Sequence, residues 1–210
     1  IGNPSWNVWN RRGRRRRERK RNKKGRHAAS PLLTLNTNNM KNLLVFRASL
    51  AGGGSKVKQK SGYMKASNTL IEAIKRFEGF RGTAYRCPAG VWTVGYGHTA
   101  GVKRGDKMTE GEAERQLRRD LAEYEAFVDK LSVTERQNKF DALVDFAYNV
   151  GCDALEGSTL LKKIRACAPD AEVRGEFMKW VYATVAGKKR KLEGLVKRRK
   201  WEADRFFNIA

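Results

Sequence analysis

No stretch of the chain approaches the roughly 18–20 consecutive apolar residues that a membrane-spanning helix needs. The best candidate for a signal peptide starts at Met40 (Met-Lys-Asn-Leu-Leu-Val-Phe-Arg-Ala-Ser-Leu-Ala-Gly-Gly-Gly), and Arg47 breaks its apolar core. A charge there argues against secretion by that route. Cysteine is scarce: Cys87, Cys152 and Cys167 form no Cys-x-x-Cys pair, and the two histidines, His27 and His98, lie too far away to complete a zinc set. A Cys152–Cys167 disulfide and three reduced thiols are both open readings. Internal repeats are absent, as is the alternating strand–helix rhythm of a parallel α/β sheet.

Acidic residues are nearly missing from the first third. Residues 1–64 hold 17 of the 45 Lys and Arg and a single acid, Glu18. The remaining 146 residues carry 28 basic and 21 acidic side chains. This second part has the mixed charge and apolar content of a domain that buries a core. The run from Arg11 to Arg26 repels itself and is expected to be disordered. It is either an inert or non-native upstream extension or an arm that attracts polyanions by counterion release. The chain starts with Ile1, so a fragment or a frame opening upstream of the true start is one expectation, with Met40 or Met64 as initiator. Gly52–Gly54 and Ser55 read as a flexible linker. The organisation expected is a basic tail and linker over 1–66 and one folded domain over 67–210.

Within that domain, Thr69 and Glu72 suggest a capping box, with Leu70, Ile71, Ile74 and Phe77 on one helical face. Glu78 follows Ile74 by four residues and shares its face. A carboxyl turned to apolar packing loses hydration, which raises its pKa and suits general-acid work. The bland alternative is a glutamate fraying into water before Gly79. Short strands are expected at Thr83–Arg86 and Val91–Tyr96, around the turn Cys87-Pro-Ala-Gly. Trp92 and Tyr96 fit either core or sugar stacking. His98 reads as a structural hydrogen-bonding residue.

Thr109 with Glu112 opens a helix to about Lys130, and Thr134 with Gln137 starts the most apolar helix, which ends at Gly151. Ser158 and Asp170 are expected to cap two further helices, the second bearing Val173, Phe177, Trp180 and Val181. After Gly187 a basic amphipathic helix carries Leu192, Leu195, Val196, Trp201 and Phe206. The fold class is α+β, mainly helical, with five or six helices and one small sheet.

Phe-Glu-Gly-Phe-Arg at 77–81, Ala84-Tyr85, Trp-Thr-Val-Gly-Tyr-Gly-His-Thr at 92–99, Phe-Ala-Tyr-Asn-Val-Gly at 146–151, Ser-Thr-Leu-Leu at 158–161, Phe-x-x-Trp at 177–180 and Gly-Leu-Val-Lys-Arg-Arg-Lys-Trp-Glu at 194–202 occur in one order. In that order they resemble the phage-type lysozymes, the endolysins of glycoside hydrolase family 24. The resemblance implies a lysozyme-like two-lobed fold with a small β-hairpin sheet and a helical bundle. It also implies a muramidase that cuts the β-1,4 bond of peptidoglycan to lyse bacteria.

The family pattern of Glu, eight residues, Asp or Cys, five residues and Thr falls on Glu78, Cys87 and Thr93. By resemblance Glu78 protonates the glycosidic oxygen, the residue at Cys87 guides or deprotonates water or stabilises the sugar cation, and Thr93 holds the water. Cysteine in place of the commoner aspartate leaves base, nucleophile and purely positional roles open. A free thiol titrates at about 8.5 and is largely neutral at pH 7 unless a cation such as Arg86 favours the thiolate.

The resemblance also carries Thr99, Tyr148, Asn149 and Thr159 over as substrate-binding residues, and Tyr148 fits the helix bundle equally well. It implies no metal or organic cofactor, no required nucleic acid, and a monomer. A chain made in the bacterial cytoplasm would reach the wall through a separate pore-forming protein. The rival functions are a wall-binding module disabled at Cys87 and, lower, a basic nucleic-acid-binding protein.

Overall fold

Ser67, two residues ahead of the expected Thr69, starts the helix that leads to Glu78. In the computed structural model, which describes residues 63–87, 90–185 and 188–208, helix α1 (Asn68–Glu78) takes its cap from the Ser67 hydroxyl, which accepts from Leu70 N–H. The same hydroxyl donates to Asp141 Oδ2 at 2.6 Å. One side chain therefore both ends the helix and ties it to a distant carboxylate, which a local capping pattern cannot reveal. Residues 64–66 enter α1 under similar restraint: Met64 N–H donates to Asp129 and Ala66 N–H to the buried Glu125. The readings made for the basic tail, the Met40 run and the glycine linker lie outside the described residues.

Strands β1 (Arg81–Arg86) and β2 (Trp92–Gly95) form an antiparallel hairpin that pairs Arg81 with Gly95, Tyr85 with Thr93 and Arg86 with Trp92. The loop that follows lies along the other side of β1, where Ala84 N–H donates to Asp106 O and Met108 N–H to Gly82 O. Alternation predicts one buried and one open face on β2. Instead Thr93, Val94, Gly95 and Tyr96 are all buried, because this lobe is covered on both sides. A Cβ on Gly95 would stand 3.0 Å from Ala113 Cβ and 3.1 Å from Met108 Sδ, at a φ of +65°. The next helix can pack this closely only against a glycine.

Helix α2 (Glu110–Leu131) carries the anticipated capping box between Thr109 and Glu112. Helix α3 (Gln137–Val150) begins after Arg136, which makes no side-chain cap; Thr134 instead accepts from Arg136 N–H in a short turn. Phe140, Ala142, Leu143, Val144, Phe146 and Ala147 are buried around most of its circumference, so α3 is the central helix. Each fully buried Leu, Val or Phe there is worth about 1.5–3 kcal/mol. Phe146 meets Phe177 and Trp180 edge-on, at centroid distances of 5.7 and 5.4 Å.

Short helices α4 (Cys152–Glu156) and α5 (Thr159–Arg165) follow, the second capped by Ser158 as expected. Helix α6 (Asp170–Met178) has Pro169, not Asp170, at its N-cap, and it stops before Trp180. A second hairpin, β3 (Tyr182–Val185) with β4 (Lys188–Lys191), comes next, and helix α7 (Glu193–Phe207) runs back along α3. Among the described residues there are thus seven helices and two strand pairs, where the sequence reading expected a single sheet. All three cysteines are free thiols.

Candidate active site

Glu78 closes α1 with its side chain 2 % exposed. It does not fray into water. The residue is turned inward because α1 lays its Leu70, Ile71 and Ile74 face on the core, and position 78 continues that face. Its Oε1 accepts from Arg198 Nη1 at 2.8 Å. Its Oε2 points toward the turn after β2, where a Cβ on Gly97 would lie 3.7 Å from it and 3.9 Å from the Tyr148 hydroxyl oxygen.

Arg198 is the hub. Its Nε and Nη2 donate to the two carboxylate oxygens of Asp145 at 3.0 and 2.7 Å, while the guanidinium lies over the Phe77 and Tyr148 rings. Burial opposes its charge, but the Asp145 and Glu78 carboxylates override that and hold its pKa above the ordinary arginine value. This fork geometry is one that lysine cannot supply.

A second layer lies behind it. Arg199 Nη2 donates to Asn149 Oδ1 at 2.7 Å and forms an ion pair with Glu202 Oε1 at 2.8 Å. Burial pushes the Glu202 carboxyl well above the usual carboxylate range; the neighbouring Asp145 charge raises it further, and Arg199 pulls the other way.

Cys87 is buried at the end of the first hairpin strand, where its N–H donates to Val91 O and its carbonyl accepts from Gly90 N–H. Thr93 is wholly buried and its hydroxyl donates to Val91 O at 3.2 Å, leaving the oxygen able to accept. Tyr85 is the cross-strand partner of Thr93. Its phenol is pushed up to about 12, chiefly by burial and then by Cys87 and Glu78, and its hydroxyl makes no hydrogen bond within the protein. Cys87 and Glu78 both act electrostatically on this phenol, and Thr93 is its residue's cross-strand partner.

The remaining sequence candidates separate. Tyr148 is 2 % exposed; its ring packs edge-on against Tyr124 at 5.3 Å and its hydroxyl donates to Tyr96 O at 3.3 Å, linking the helices to the hairpin lobe. Asn149 is buried with its carbonyl on Arg199. Thr99 is half-buried beyond His98, and Thr159 is exposed at the start of α5. His98 is structural, as expected: Nδ1 lies 2.8 Å from Asp120 and Nε2 3.0 Å from Ala100 O. Tyr96 belongs to the core and donates to Glu110, whereas Trp92 is half-buried beneath the Arg86 guanidinium.

Sequence reasoning missed Arg198, Asp145, Glu202 and Tyr85 as parts of this site. A signal for two of them, Asp145 and Arg198, was present. Asp141, Asp145 and Asn149 recur at four-residue spacing on the most apolar helix of the chain, where carboxylates demand cations. Arg198, Arg199 and Arg205 of α7 answer them.

The family model for phage lysozyme matches residues 75–202. The endolysin of Acyrthosiphon pisum secondary endosymbiont phage 1 is 43 % identical over 140 residues, which cover 66 % of this chain and 95 % of that protein. Among solved structures, an endolysin from Escherichia coli O157:H7 phage FAHEc1 is 38 % identical with a TM-score of 0.65, covering 71 % of this chain and 97 % of that one. The muramidase domain of SpmX from Asticaccaulis excentricus is 35 % identical with a TM-score of 0.63, covering 68 % of this chain and 97 % of that one.

Proposed function

Because the chain belongs to the phage lysozyme family, we propose that Glu78, Cys87 and Thr93 are the residues with which it cuts its substrate. The protein is a peptidoglycan hydrolase, a glycoside hydrolase of the muramidase kind. The bond broken is the β-1,4 link between N-acetylmuramic acid and N-acetylglucosamine. Its transition state is oxocarbenium-like and needs a proton on the leaving oxygen and a group to deliver or activate water on the sugar.

The observation that carries the assignment is the placement of Glu78: a carboxyl at the end of a helix, withdrawn from solvent, with one oxygen held by Arg198 and the other directed at the hairpin turn. Holding one oxygen fixes the direction in which the other can pass a proton, and fixed direction is much of what general-acid catalysis requires. Arg198 acts here as a positioning residue. Thr93 can accept a hydrogen bond from water on its lone pairs while its own O–H donates to Val91 O. Cys87 then serves as the group that guides the water.

Thr99, Tyr148, Asn149 and Thr159 flank the sugars in this reading, with the buried pair Tyr148 and Asn149 acting through the backbone of the turn and through Arg199 rather than by broad contact. Residues 67–210 form the catalytic domain, and the chain works as a monomer. Among the described residues no helix is long and apolar enough to cross a membrane. A separate pore-forming protein of the holin type gives the cytoplasmic chain its passage to the periplasmic wall.

Turbidity loss of purified cell walls tests the assignment. Wild type should clear them, and Glu78→Gln should lose at least a hundredfold in rate while still sedimenting with the walls. Equal clearing by the two proteins would overturn the role of Glu78. Binding without clearing by the wild type would point to the wall-binding module instead. The configuration of the fresh reducing end separates inversion, with Cys87 guiding water, from retention through a covalent thioglycoside.

A further inference from the structure

The β3–β4 hairpin takes no part in the site around Glu78. Its base is closed by Leu192 N–H donating to Val181 O at 3.0 Å. All four residues of β4 are exposed, and they are Lys188, Lys189, Arg190 and Lys191. Pairing sets Lys191 and Lys189 beside Tyr182 and Thr184 on one face, and Arg190 and Lys188 beside Ala183 and Val185 on the other. Neither strand contains an acid. Like charges crowded in this way weaken a two-stranded ribbon that is marginal to begin with.

The apolar side chains of the same region decide what would relieve the repulsion. Five large hydrophobic residues are exposed among the described residues, and three of them, Met178, Tyr182 and Val185, fall within eight positions. Tyr182 is 51 % exposed, with the Lys189 ammonium 5.0 Å from its ring centroid. A cationic strand alone would suit any polyanion. Cations interleaved with an open tyrosine, valine and methionine suit a surface that offers phosphate above and hydrocarbon below.

We propose that the β3–β4 hairpin is a docking surface for an anionic phospholipid bilayer, with Lys189 and Lys191 on the lipid phosphates and Tyr182, on the same face, at the headgroup boundary. Docking of this kind is independent of the chemistry at Glu78. It holds the enzyme at the membrane face that borders its polymeric substrate, and anionic lipid is what the hairpin distinguishes.

The full chain is sedimented with vesicles of phosphatidylcholine alone and of phosphatidylcholine mixed with phosphatidylglycerol. Three variants are compared: the quadruple change Lys188→Gln, Lys189→Gln, Arg190→Gln, Lys191→Gln; the single change Tyr182→Ser; and a charge-matched control in the basic tail, Arg14→Gln, Arg15→Gln, Arg16→Gln, Arg17→Gln. The hairpin quadruple variant should lose roughly tenfold or more in partitioning onto the mixed vesicles, and more than the tail control loses. Tyr182→Ser should lose several-fold at high salt, where the charges are screened, and should bind soluble polyphosphate as the wild type does. Each hairpin variant should clear purified walls at the wild-type rate, which separates lost docking from lost folding. Unchanged partitioning of the quadruple variant overturns the proposal. So does a quadruple variant that loses vesicles and polyphosphate equally while Tyr182→Ser changes neither, since that pattern describes a general polyanion site.

Discussion

Tyr85 and Thr93 are cross-strand partners in the first hairpin, so a phenol with no hydrogen bond inside the protein stands over a fully buried threonine. The phenol keeps its proton longer in the folded chain than in the unfolded one, since burial, Cys87 and Glu78 all disfavour its charge. Stability from this group is therefore intact below its ordinary value of 10 and declines as pH rises toward about 12. Tyr85→Phe should remove that decline and leave the melting temperature at pH 7 unchanged or slightly raised, because an unsatisfied buried hydroxyl is lost. Ultraviolet titration should show one tyrosine fewer ionising at the alkaline end.

Glu202 gives the opposite end of the pH scale its own signature. A carboxyl whose folded pKa is raised binds more protons when folded, so stability falls as pH rises from the ordinary carboxylate value through the folded one. Glu202→Gln mimics the protonated acid. It should match the wild type in melting temperature near pH 4 and exceed it at pH 7. A variant less stable than the wild type at both values would show that the ionised form is the one the core accommodates.

Removing the Arg198 guanidinium strands two buried carboxylates, Glu78 and Asp145. Arg198→Met should cost about 3–5 kcal/mol in denaturant unfolding, the usual penalty for breaking a buried pair from one side. Adding Glu78→Gln and Asp145→Asn to Arg198→Met should recover a large part of that loss. Arg198→Lys keeps the charge but not the fork, and should lower wall clearing more than it lowers stability.

Gly97 has a φ of +92° and sits against Glu78 Oε2 and the Tyr148 hydroxyl, both at ordinary contact distance from an added Cβ. Gly97→Ala is thus limited by backbone strain rather than by space. It should cost about 1–2 kcal/mol, read from the urea midpoint. A larger loss in clearing than in stability would indicate that the turn itself receives the sugar.

Features fixed by neighbours in sequence were legible, and those fixed across the fold were not. The Thr109 capping box, the Ser158 cap and the inward turn of Glu78 are local matters of spacing. Ser67 displaced Thr69 because Asp141, on another helix, rewards its hydroxyl a second time. The Lys188–Lys191 strand has neither alternation nor an apolar face, and its register comes only from the strand opposite, so it read as the start of a basic helix. Arg198 and Arg199 read only as cations of a basic amphipathic helix. Only the carboxylates and amide of α3 explain why they are buried.

The contact between Arg198 and Glu78 spans 120 positions of chain. During synthesis the acid emerges early and its guanidinium late, so the ribosome releases nearly the whole protein before this pair can form. Any product ending before α7 lacks that clamp, leaving the buried Glu78 carboxyl without its Arg198 partner.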